Sequence, residues 1–199
     1  PNKMNKLIIF IFVLSLMAVY GCTSSESMSG PITFKEGVER INEIDEKYGA
    51  TMETPPNSTE KIDMLLMQIT GFAASHQDMP SSLKYIVDFR ISSLKAEKLH
   101  IEGWQWGKSS SIDYGFGCRK GSARILNSSR IRNASAQKGL ESLDSLQLLV
   151  DNFPIEAKSI NLTQKDILFL NAAYYIVQEK AERDARVIKS ACAEHLRKG

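Results

Sequence analysis

The chain has 199 residues, 25 Lys and Arg against 23 Asp and Glu, and a formal net charge of +2. That length suits one domain with a sizeable core. So small a basic excess cannot neutralise many phosphates, which argues against nucleic acid as a partner.

The first element in chain order is residues 3–22. Lys3 and Lys6 precede an unbroken apolar run from Leu7 to Val13, and only Ser15 is polar between Leu14 and Tyr20. The stretch stops at Gly21-Cys22. A charged start, a short apolar core and a small residue before a cysteine resemble the signal peptide of a prokaryotic membrane lipoprotein precursor. Val19-Tyr20-Gly21-Cys22 would be its lipobox. The resemblance implies a signal peptide over 1–21, cleavage before Cys22 and lipid attachment to the Cys22 sulfur. It further implies a cell-envelope location, and Thr23 after the cysteine, where aspartate would favour retention at the inner membrane, points to the outer membrane. The competing reading is an uncleaved anchor. A helix needs roughly 20 apolar residues to cross about 30 Å of hydrocarbon, and this run is short for that. Loss of Lys3 and Lys6 with the leader would bring the formal charge to zero. Membrane attachment would then come from lipid, two chains or more anchoring stably where one does not.

Residues 22–32 hold Ser24, Ser25, Ser27, Ser29, Gly30 and Pro31 and read as a flexible tether. A single all-α domain is expected over 33–199. Its first helix should start at Thr33, where Glu36 three residues on completes a capping box. Val38, Ile41, Ile44 and Tyr48 follow at helical spacing, and Gly49 ends it. A second helix is expected from Ser58 to Ala74, with Ile62, Leu65, Leu66, Ile69 and Phe72 as its apolar stripe. A third starts near Ser81 and runs into Gly103. Residues Gly103 to Gly117 read as a loop rich in glycine, serine and aromatics.

The fourth helical stretch spans Cys118 to Asn152. Gly139 lies inside it, at a cost of about 1 kcal/mol relative to alanine, and predicts a kink or a split. Phe153-Pro154 closes it. The last helix starts at Thr163, with Asp166 as its capping partner and i,i+4 pairs Glu179–Arg183 and Glu182–Arg186 on its exposed face. No stretch alternates like a strand. About five amphipathic helices predict an all-α fold, either a helical bundle or a short helical solenoid. No repeat near 34 residues supports the solenoid.

Cys118 and Cys192 lie at similar distances either side of a turn near residue 157. Two antiparallel helices joined there would set them side by side. A disulfide is expected, buried free thiols being the alternative.

No motif carries catalysis. His76, His100 and His195 are scattered, and only Glu97 with His100 and Cys192 with His195 share a helix face at i,i+3. A zinc site needs three or four ligands, and a di-iron bundle needs a second Glu-x-x-His. No metal or cofactor is therefore expected. No serine sits in a Gly-x-Ser-x-Gly elbow, and Gly115 to Gly121 lack the Gly-Lys-Ser/Thr ending of a phosphate loop. Asn57, Asn127, Asn133 and Asn161 open glycosylation sequons, which a typical bacterium would leave unused.

The strongest binding candidate is the 103–117 loop. It holds both tryptophans, Trp104 and Trp106, with Tyr114 and Phe116. Such aromatics either anchor a partner or fold back to cap the core. Two functions are weighed. One is a non-catalytic, lipid-anchored envelope protein that binds or scaffolds another protein. The other is a periplasmic ligand-binding protein or envelope enzyme using the aromatic loop, which predicts a pocket with a perturbed acid or histidine inside.

Overall fold

A computed structural model describes residues 31–52, 54–113 and 118–193. The expected leader, Cys22 and all but the last two tether positions lie outside them. Among the described residues the chain is all α, a bundle of six helices with no strand: α1 (Phe34–Lys47), α2 (Thr59–Ser75), α3 (Ser81–Asp113), α4 (Cys118–Asn152), α5 (Pro154–Ser159) and α6 (Gln164–Ala191).

The caps explain most of the boundaries. Thr33 caps α1: its hydroxyl accepts from the Glu36 amide, and its own amide donates to Glu36 Oε2 at 2.9 Å. Gly49, at φ +68°, turns the chain out of α1. The Ser58 hydroxyl accepts from the Lys61 amide at the head of α2. The Thr163 amide donates to Asp166 Oδ2 at 2.9 Å at the head of α6. The short α5 is absent from the expected elements. Phe153-Pro154 does end α4, but proline also suits the first turn of a helix, where its missing N–H costs nothing.

The bundle has two unlike halves. At one end α1 and α2 pack on the first half of α3, with the last turns of α4, α5 and the start of α6 closing over them. Ile41, Ile62, Leu65, Ile69, Leu83, Ile86, Leu94, Leu146 and Leu149 form a continuous apolar core there. The Tyr85 ring meets that of Phe153 at 6.0 Å, tying the start of α3 to the end of α4. Inside this head lies an ion pair from α1 to α3. Arg90 donates to Asp45 Oδ1 from Nη2 at 2.7 Å and from Nε at 3.1 Å, and to the carbonyls of Thr51 and Met52.

At the other end only α3, α4 and α6 continue. This stalk is held by small residues. Ser128 donates to the Gly103 carbonyl and Ser135 to the Ala96 carbonyl, both at 2.7 Å. The donors are seven residues apart, as are the acceptors, which is the repeat of two antiparallel helices in close contact. A Cβ at Gly103 would meet Arg132 Cγ at 2.7 Å. Gly103 therefore does not end α3 as expected. It permits the approach of α4, and α3 continues to Asp113. Gly139 does not break α4 either, because the space over it is filled by Tyr174 from α6.

Candidate functional site

The expected aromatic loop is mostly helix. Residues 103–113 are the last three turns of α3. Trp104 and Trp106 thus stand on a rigid element, about 200° apart around it. They are 53% and 43% exposed and do not cap the core. Tyr114 and Phe116 lie outside the described residues. A cleft of about 400 Å³, lined by Glu102, Gln105, Trp106 and Arg124, lies between the end of α3 and the start of α4. Trp104 is about 35 Å along α3 from its first turn, so the tryptophans sit at the opposite end of the molecule from Ile32, which packs on the apolar core.

The same end is stapled. Cys118 and Cys192 are joined as a disulfide, with Cα atoms 5.5 Å apart. It links the first residue of α4 to the residue that follows α6, as the antiparallel pairing requires.

The histidines divide. His76 closes α2: its Nδ1 lies 2.9 Å from the Phe72 carbonyl, and its ring stacks at 4.6 Å on that of Phe72. His195 lies outside the described residues. His100 is different. With Glu97 one turn earlier it faces a second cavity, of about 140 Å³, where all three stalk helices meet. Tyr174 closes it from α6, and Ser135 lines it from α4.

The local sequence explains this cavity. Ala96, Ser135 and Ala173 are too short to fill the centre of the stalk, and glycine at 139 lets the Tyr174 ring in. Burial raises the Glu97 carboxyl above the usual carboxylate range. No hydrogen bond or ion pair offsets that among the described residues. Burial, helped by the Arg132 charge, lowers His100 and keeps the imidazole neutral. Tyr174 is raised, first by burial and then by the charge of Glu97. Arg132 itself is tied to Asp184, joining α4 to α6 beside the cavity.

The Glu97–His100 spacing was visible in the sequence, but as a lone pair. Tyr174 was not, since nothing local sets it apart from the other residues of α6. Gly139 was the usable signal, because a glycine that does not break a helix marks a close approach. Among the described residues no group of three or more His, Cys, Asp or Glu could hold a metal ion, and no helix is long and apolar enough to cross a membrane. No protein-family model, curated protein or solved structure matches the chain.

Proposed function

We propose that this chain is a lipid-anchored protein of the bacterial cell envelope, held at the outer membrane through Cys22. Its helical domain binds another protein rather than catalysing a reaction. The lipobox-like residues Val19 to Cys22 and Thr23 support the anchor and its location. The observation that carries the docking role is the placement of two half-exposed tryptophans on one stiff helix, at the end remote from Ile32. A bilayer held through Cys22 would lie beside the cored head, and the tryptophans would face away from it. Tryptophan offers a large contact area at low entropic cost, and binding energy concentrates on such residues.

Two measurements test the two parts. Intact mass spectrometry of the membrane-extracted protein should give residues 22–199 plus acyl chains. An uncleaved, unlipidated mass overturns the anchor. A photo-cross-linking side chain placed at position 104 or 106 in living cells should give one discrete adduct that the same group at Lys84 does not. Identical patterns at all three sites overturn the docking end.

A further inference from the structure

We propose that the cavity between Glu97, His100 and Tyr174 binds a small organic ammonium ion. The proposal is independent of the lipid anchor and of the tryptophan end. It starts from an imbalance. Three groups around one cavity of about 140 Å³ can accept hydrogen bonds or positive charge: the Glu97 carboxylate, the neutral His100 ring nitrogen and the Tyr174 phenol. The α4 hydroxyls nearby do not reach Glu97: Ser135 is spent on the Ala96 carbonyl, and Ser142 bonds the Gly139 carbonyl and the Tyr174 phenol. Glu97 has no partner of its own among the described residues. A carboxylate is not left in such a place without cost.

The group that best completes Glu97 is a donor with positive charge. Arg132 does not supply it. Its charge reaches His100, but its guanidinium is engaged by Asp184 across the α4–α6 contact. A metal ion is a poor fit, since it needs three or four ligands and among the described residues no such group gathers. The walls decide the rest. Ala96, Ala173 and Val177 are apolar, so the ligand carries a short hydrocarbon tail. A void of roughly 150 Å³ accepts a benzene-sized molecule, which sets the tail at about three or four carbons. The ammonium would sit on Glu97, with the Tyr174 ring available for a cation–π contact.

The titratable groups that line the cavity are Glu97 and His100 on α3 and Tyr174 on α6, and the charge of Arg132 on α4 reaches His100. As the pH rises from acid, His100 loses its positive charge and Glu97 gains a negative one, and both changes favour a bound cation. Affinity should therefore rise from pH 5 to pH 8. The test is calorimetric titration of the full chain with propylammonium chloride, with 1-propanol as the neutral probe. One saturable site is expected, at least tenfold weaker in Glu97→Gln and absent in Val177→Phe, which fills the cavity and leaves the carboxyl in place. Far-UV circular dichroism checks that both variants remain helical, and Val177→Phe decides should Glu97→Gln fail to fold. Equal binding by propanol, binding undiminished by either substitution, or no saturable heat at millimolar ligand would each overturn the proposal.

Discussion

The Tyr174 ring of α6 occupies the space that a side chain at Gly139 of α4 would need. This contact holds the centre of the stalk together. It brings α6 against α4 between two further links, the Gln147–Gln164 amide pair at one end and the Arg132–Asp184 ion pair toward the other. It also closes the cavity around Glu97. The same glycine that weakens the helix locally is what allows three helices to converge.

Gly71 of α2 and Gly139 of α4 should therefore respond oppositely to alanine. Gly71 is exposed, with nothing near the added methyl. Gly71→Ala should stabilise by about 0.5–1 kcal/mol, the difference in helix propensity. Gly139→Ala gains the same propensity but forces the Tyr174 ring aside, and overpacking typically costs 1–3 kcal/mol. It should be net destabilising. Urea midpoints of the two variants check the pair, and a stabilised Gly139→Ala would mean that the ring moves freely.

This contrast marks what the sequence could and could not disclose. Helix starts were legible because caps are local: Thr33 with Glu36, Ser58, and Thr163 with Asp166 each act over three residues. The Cys118–Cys192 pairing was legible because two long antiparallel helices leave little choice of register. The end of α3 was not. Gly103 and Gly107 read as breakers, and only the approach of Ser128 and Arg132 from a distant helix makes them packing positions. Arg90 and Asp45 were equally hidden. Both read as surface charges on amphipathic helices, and nothing local says that they meet inside the head. Of the candidate loop, the tryptophans were singled out, but the helix that carries them was not foreseen.

Breaking the Arg90–Asp45 pair should be the costliest single change in the head. The side chains are 2% and 0% exposed. Arg90 also satisfies the Thr51 and Met52 carbonyls, which lie just beyond α1. Arg90→Met strips a buried carboxylate of its cation and removes the guanidinium's bonds to two carbonyls, at about 3–5 kcal/mol. Adding Asp45→Leu should recover much of that loss, because the uncompensated charge goes too. A double-mutant cycle by urea unfolding reads the coupling. Additive losses would show that the two residues act separately.

The disulfide should matter more than the modest core of the stalk suggests. Beyond Tyr174, Ala181 and Ile188 are the buried apolar residues of α6, with Cys192 just after it, so little else fixes its last turns. The bond spans a sequence separation of 74 residues. Loops of that size correspond to roughly 4 kcal/mol in the chain-entropy account, and measured values run about 2–4 kcal/mol. Cys118→Ser with Cys192→Ser should lower the Tm, and reductant should lower it for the wild type only. A wild-type Tm that ignores reductant would show that the stalk holds without the bond.

Glu97 should give the stability curve its most diagnostic slope. Burial raises its folded-state pKa above the unfolded value. The folded chain therefore binds this proton more tightly, and stability falls as the pH rises from the unfolded glutamate range through the raised folded one. Below that window the neutral carboxyl carries no penalty. Glu97→Gln keeps the shape and removes the titration. It should match the wild type near pH 4 and exceed it at pH 8. His100, lowered by burial, favours the fold in its neutral form and loses stability as acid protonates it, but it does so in both proteins. The difference between the two Tm profiles from pH 4 to 8 therefore isolates Glu97. A variant no more stable than the wild type at pH 8 would mean that the carboxylate already has a partner, and the cavity would then have no unmet charge to offer a ligand.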